Sequence, residues 1–264
     1  MKFSDIRYAD GARGKLDVYR PRAADGAPTV VFFYGGRWSS GSKGLYQIFG
    51  RTLRARGYAV VIPDYRIYPQ VRFPAFVEDG AKALRWTHDN IAKYGGDPRR
   101  LFVMGHSAGA HIAAMLSLDP QWLNRVGLDA GHDIAGLIGL AGPYDFLPLK
   151  DPDLIEIFGG ADRAETQPIT FAHGRKPPAL LVSGDMDKVV HPGNSVRLAE
   201  RLRQRGNDAT ALLYRRFGHI TVLAGYAPFL GNVLPAMRDL DTFVARVGAG
   251  AVPQAAVLTL PAKA

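Results

Sequence analysis

The sequence predicts an α/β fold, a mostly parallel sheet with helices packed on both faces. Three observations predict it. Short apolar, β-branched runs alternate along the chain with amphipathic stretches of helical period. The runs are apolar at consecutive rather than alternate residues, as strands covered on both faces require. The residues able to do chemistry follow directly on these runs, where parallel sheets gather their functional loops.

Leu16-Asp17-Val18-Tyr19 is the first strand candidate, followed by a loop rich in Pro, Gly and Ala. Thr29-Val30-Val31-Phe32-Phe33-Tyr34 reads as a doubly covered strand that stops at Gly35-Gly36-Arg37-Trp38. A helix follows, with Leu45, Phe49 and Leu53 on one face and Gly57 as its stop. Ala59-Val60-Val61-Ile62 is the next strand and runs into Pro63-Asp64-Tyr65-Arg66. Phe76, Gly80, Leu84, Thr87 and Ile91 then share a helical stripe that closes at Gly95-Gly96. Leu101-Phe102-Val103-Met104 reads as a strand, and Ala108 to Leu118 as a helix.

Gly136-Leu137-Ile138-Gly139-Leu140 is another strand, and residues 143–176 after it show little periodicity. Ala179-Leu180-Leu181-Val182 and Thr210-Ala211-Leu212-Leu213-Tyr214 are two more strands, separated by a helix over Ser195–Arg205. A last amphipathic helix carries Leu230, Val233, Leu234, Met237, Leu240, Val244 and Val247. One domain is therefore expected over residues 1–248, with a loosely ordered Ala/Pro-rich tail at 249–264.

At 264 residues the chain is long enough to bury one large core. It has no cysteine, which excludes disulfides, thiolate metal sites and a cysteine nucleophile. The start, Met1-Lys2-Phe3-Ser4-Asp5, lacks the apolar core of a signal peptide, and no run reaches membrane-spanning length. A soluble cytoplasmic protein without a membrane partner is expected. The net charge of +9 comes from scattered small groups of arginines, with no recognisable nucleic-acid module. No nucleic-acid partner is expected; a field that draws in anionic small molecules fits the charge better.

The chemistry centres on Gly105-His106-Ser107-Ala108-Gly109, a G-x-S-x-G pentapeptide between a predicted strand and a predicted helix. That order is the context of a nucleophile elbow, whose sharp turn excludes side chains two residues either side of the serine. A serine needs a base, and His219, just after the last strand, is preferred over His191. The base needs an orienting carboxylate. Asp187 is better placed than Asp185, which directly follows the strand and suits a turn. Backbone N–H groups of Gly35, Gly36 and Ala108 are the candidate oxyanion donors. Trp38, Arg37, His106, Tyr144 and Phe146 are candidate substrate contacts, with Arg37 able to attract a carboxylate.

These pieces resemble the α/β-hydrolase superfamily of esterases and lipases. The match is closest to the carboxylesterase-like branch with hormone-sensitive-lipase relatives, feruloyl-esterase-like domains and kynurenine formamidases. Tyr34-Gly35-Gly36-Arg37-Trp38 is similar to H-G-G-x-W. Asp64-Tyr65-Arg66, Gly105–His111, Gly184–Val190 and Gly218-His219 follow in the family's order. The resemblance implies an eight-stranded sheet, a small lid at about 143–176, an acyl-enzyme mechanism, and no metal or cofactor. Two residues depart from the pattern. Tyr34 replaces the usual histidine, whose side chain mainly braces the loop, and Arg37 stands where lipase-like members carry a third glycine. The expected activity is cleavage of small carboxylic esters, with an arylformamidase or a catalytically silent binding module as alternatives.

Overall fold

The computed structural model describes residues 1–22, 26–226 and 235–248, and the backbone of 257–260. Among the described residues nine strands form a single sheet: β1 (Lys2–Arg7), β2 (Lys15–Tyr19), β3 (Ala27–Phe33), β4 (Ala59–Pro63), β5 (Gly96–His106), β6 (Gly136–Leu140), β7 (Ala179–Gly184), β8 (Ala209–Tyr214) and β9 (Val257–Leu260). Their spatial order is β1-β2-β4-β3-β5-β6-β7-β8-β9. β2 runs antiparallel to β1 and β4, and every other neighbouring pair is parallel.

The chain moves from β3 to β4 in one direction along the sheet, then returns past β3 to β5. With right-handed crossovers, that reversal puts the two connecting helices on opposite faces. It also opens a crevice at the carboxyl ends of β3 and β5, where ligand sites form in such sheets. Helix α1 (Gln47–Ala55) covers one face with Phe49 and Leu53. Helix α2 (Ala75–Asn90) covers the other, and all five stripe residues from Phe76 to Ile91 are buried. Gly57 and Gly95 end their helical segments at positive φ, 99° and 81°. Leu45 departs from its expected face and is exposed, because it sits in a 3₁₀ turn (Lys43–Tyr46) that shifts the phase ahead of α1.

Helix α3 (Ala108–Leu118) is buried at every residue. It packs so closely on α2 that a Cβ at Gly80 would meet Leu116 at 2.8 Å. Short helices α4 (Pro120–Asn124) and α5 (Ala130–Asp133), each N-capped by an aspartate, lead into β6. Between β6 and β7, residues expected to lack periodicity include helix α6 (Pro152–Phe158), capped by Asp151 and stopped by Gly159 at φ 72°. Helix α7 (Gly193–Gln204) buries Leu198, Ala199 and Leu202, and α8 (Ala236–Gly248) buries Met237, Leu240, Phe243 and Val244. Tyr58 and Arg56 both bond Asp241 and tie α1 to α8 on their shared face.

The sheet exceeds the expected eight strands because part of the 249–264 tail, β9, pairs with β8. The rest of that tail, and Leu230, Val233 and Leu234 of the expected last helix, lie outside the described residues. The edge strand β1 had no sequence signal: Lys2–Arg7 is half exposed and largely polar, so no apolar run marks it.

Candidate active site

Ser107 joins β5 to α3 at φ 54° and ψ −121°, a conformation that costs a non-glycine residue free energy. The surroundings hold it there. Its N–H donates to the Leu140 carbonyl at 2.9 Å, and its own carbonyl accepts from Ala110 and His111 at the start of α3. A Cβ on Gly105 would lie 2.2 Å from the Gly109 oxygen, and one on Gly109 would lie 2.1 Å from the Phe33 oxygen. Both glycines are therefore required by close backbone approach.

His219 reaches the serine from the turn after β8. The Ser107 hydroxyl donates to its Nε2 at 2.8 Å, and its Nδ1–H donates to Asp187 Oδ2 at 2.8 Å. The second oxygen of Asp187 accepts from the N–H groups of Val189 and Val190, both at 2.9 Å. Its side chain is 0% exposed, and these bonds give both carboxylate oxygens a partner. The two rivals bond other partners, although His191 also lines the cavity over Ser107. Asp185 accepts from the Arg216 N–H and pins the turn after β8, and His191 Nδ1 accepts from the Gly193 N–H at the start of α7.

The loop after β3 passes directly against the elbow. A Cβ on Gly35 would come 2.8 Å from His106 Nδ1 and 3.0 Å from Ser107 Cβ. Gly36, Arg37 and Trp38 follow with φ of 143°, 52° and 57°. The Ser39 and Ser40 N–H groups both donate to the Gly36 carbonyl, which fixes that peptide plane. Among the described residues the N–H groups of Gly36 and Ala108 have no acceptor. The Gly35 amide, the third expected donor, faces the Tyr46 phenol, where it opposes the rise that burial imposes on that group's pKa.

Tyr34 braces this loop. Its hydroxyl donates to Asp64 Oδ1 at 2.8 Å and accepts from Arg13 at 2.7 Å. Arg13 also donates to the carbonyls of Tyr65 and Gly41, and Tyr65 donates to the carbonyl of Tyr34. Arg66 forks onto Asp79 and anchors the same stretch to α2. The Asp64-Tyr65-Arg66 motif is thus the underside of the loop.

A cavity of about 520 Å³ opens over Ser107, walled largely by residues 143–154 and by the start of α7. Trp38 and Phe146 line it with near-parallel rings 6.2 Å apart. Arg37 also lines it, but its guanidinium bonds Asp151 at 2.7 Å, the residue that caps α6. Its charge is therefore already matched. Tyr144, expected as a pocket wall, is instead fully buried, with its ring occupying the space that side chains at Gly139 and Gly142 would fill. The turn that carries it is held by Asn194, whose Oδ1 accepts from the N–H groups of Tyr144 and Asp145 at 2.8 Å. Nothing in the sequence signals Asn194, because its partners lie some fifty residues away.

His106, also expected to contact substrate, is 2% exposed and points away from the cavity. Its Nε2–H donates to the His219 carbonyl at 3.0 Å, and burial pulls its pKa down to about 4. His111 behaves alike: it donates to the Thr166 carbonyl at 2.8 Å and is held down to about 4 by burial. Among the described residues no group of three or more His, Cys, Asp or Glu is arranged to hold a metal ion. None of the helices among them is long and apolar enough to cross a membrane.

Residues 16–202 match the profile of the BD-FAE family. The chain belongs to the BD-FAE family. Among curated proteins it is 38% identical over 257 residues to a probable isoprenylcysteine alpha-carbonyl methylesterase of Oryza sativa subsp. japonica, covering 89% of this chain and 59% of that one. It is 29% identical over 219 residues to esterase LipC of Mycobacterium tuberculosis, covering 75% and 54%. This BD-FAE chain spans between half and two thirds of the length of these relatives. Among solved structures, a truncated carbohydrate esterase from gut microbiota superposes with TM-score 0.82 at 21% identity, covering 94% and 96% of the two chains. Thermogutta terrifontis esterase Est2 superposes with TM-score 0.76 at 24% identity, covering 92% of each. The fold of this BD-FAE member is that of the α/β-hydrolases.

Proposed function

We propose that this chain is a serine esterase that cleaves small carboxylic esters through an acyl-enzyme. The observation that carries the reading is the unbroken line of two 2.8 Å hydrogen bonds from Ser107 through His219 to Asp187, at a serine held in a strained turn. His219 takes the hydroxyl proton as the serine oxygen attacks the ester carbonyl. Asp187 fixes the tautomer and stabilises the imidazolium that forms. The N–H groups of Gly36 and Ala108, which lack other acceptors, receive the oxyanion. The imidazolium then protonates the leaving alcohol. Water, activated by the same imidazole, releases the acid and restores the serine.

The esterase names of the curated relatives support the same reaction class. Trp38 and Phe146 close to the serine, in a cavity of about 520 Å³, suit a short acyl group. Residues 143–176 serve as the lid. The test is hydrolysis of p-nitrophenyl acetate, butyrate and octanoate beside N-formylkynurenine, with Ser107→Ala as the blank. Ser107-dependent ester turnover that falls with chain length is expected. Preference for the formamide would replace the ester by an arylformamide, and silence from folded protein would overturn the enzymatic reading.

A further inference from the structure

Six large hydrophobic side chains are conspicuously exposed among the described residues, and three of them neighbour Asp187 or His219 in sequence. Met186 and Val189 stand beside Asp187, at 57% and 66% exposure, and Ile220 follows His219 at 66%. Leu45 and Ile48 lie in the segment after the Gly35–Trp38 loop. Clustering of this kind at one end of the sheet departs from the scattered apolar exposure of an ordinary surface.

The loops after β7 and β8 form one continuous rim. The Met186 N–H donates to the Phe217 carbonyl at 2.9 Å, and the Asp187–His219 bond joins the two loops again just beyond. Phe49 of α1 meets Tyr226, six residues past Ile220, at 5.2 Å between ring centres. The same rim carries Lys188, Arg215 and Arg216. All three are exposed, and none has an ion-pair partner among the described residues. Asp185 is the acidic residue between them, and one of its oxygens is committed to the Arg216 N–H. Apolar tips and unmatched cations thus share the loops that carry Asp187 and His219, and Val189 among them lines the cavity over Ser107.

We infer that this rim is a docking face for an anionic lipid surface, which it touches without spanning. The match is one of charge and depth. Met186, Val189 and Ile220 reach the boundary between headgroups and acyl chains, while Lys188, Arg215 and Arg216 meet the anionic headgroups. The net charge of +9 favours the same approach at long range. Docking in this way turns the mouth over Ser107 toward the lipid, so esters dissolved in the surface enter without crossing water.

The binding step does not rest on the proposed esterase activity and is tested separately from it. Ser107→Ala protein is sedimented with vesicles of phosphatidylcholine alone and with about 30% phosphatidylglycerol. Partition at least about tenfold stronger into the anionic vesicles is expected. Met186→Ser with Ile220→Ser, and separately Lys188→Glu with Arg215→Glu, should each reduce it about tenfold or more. With Ser107 restored, both double variants should keep their turnover of soluble p-nitrophenyl acetate, which shows that they fold. Equal partition into both vesicles, no partition, or loss only in the charge variants would overturn the inference. So would a stable dimer by size-exclusion chromatography that dissociates in Met186→Ser/Ile220→Ser, which would make the occupant a second copy of the chain.

Discussion

His106 Nε2 donates to the carbonyl oxygen of His219 across 3.0 Å, so the residue before Ser107 holds the backbone of His219. The other side of the same ring abuts Gly35 of the oxyanion loop. One buried imidazole therefore touches the supports of all three parts of the proposed mechanism. His106→Phe keeps the ring volume and removes the donor. It is expected to lower kcat about tenfold with little change in KM, the size of one lost buried hydrogen bond. His106→Gln, which still offers a donor, should recover most of the loss. Steady-state kinetics on p-nitrophenyl acetate, with melting temperatures alongside, check both.

Asp187→Asn should reduce kcat by about a thousandfold or more, because the amide favours the wrong tautomer of His219. Asp185→Asn removes charge from a turn that already keeps its backbone bond, and should change kcat by less than about threefold. The reverse ranking would move the orienting role to Asp185.

Acid should weaken the fold before it touches the carboxylates. His106 and His111 are buried neutral, with pKa values lowered to about 4 from the ordinary 6.5. Between those values the unfolded chain binds protons that the folded chain refuses, so stability is full above pH 6.5 and falls as the pH drops toward 4. The loss should reach a few kcal/mol across that window. Urea midpoints at pH 7.5 and 4.5 measure it, and His111→Gln should flatten the dependence.

Gly109→Ala should cost more than about 3 kcal/mol or prevent folding, since its Cβ would strike the Phe33 carbonyl at 2.1 Å. Gly174→Ala, at φ 67° with open space around it, should cost only about 1 kcal/mol. Urea unfolding of the pair separates steric necessity from backbone preference.

Tyr34→Phe leaves Asp64 and Arg13 facing a missing hydroxyl. A loss of about 1 to 3 kcal/mol is expected, with lower kcat as the oxyanion loop loosens. Thermal melts and kcat on the same ester series read both effects.

The parts of the candidate site that sequence made legible are those with local signatures. Ser107 lies between a strand and a helix that its own neighbours specify, and Asp187 and His219 each follow an apolar run. The parts it hid depend on contacts between distant segments. His106 reads as a pocket residue until His219, more than a hundred residues later, folds over it. Tyr144 reads as a pocket wall until Gly139 and Gly142 leave room beneath the sheet end for its ring. Leu45 sits in phase with Phe49 and Leu53 only if the helix begins a turn earlier than it does. Periodicity carries no record of such choices, because they are made by packing.

The cavity over Ser107 is walled mainly by one uninterrupted stretch, residues 143–154, whereas the proposed reacting groups follow four separate strands. On the proposed reading, chemistry and selectivity are therefore carried on different pieces of the chain. A transplant of that stretch between relatives would carry substrate range with it and leave the acid–base apparatus where it stands. Seen as a part list, the protein is a fixed engine with one interchangeable inlet.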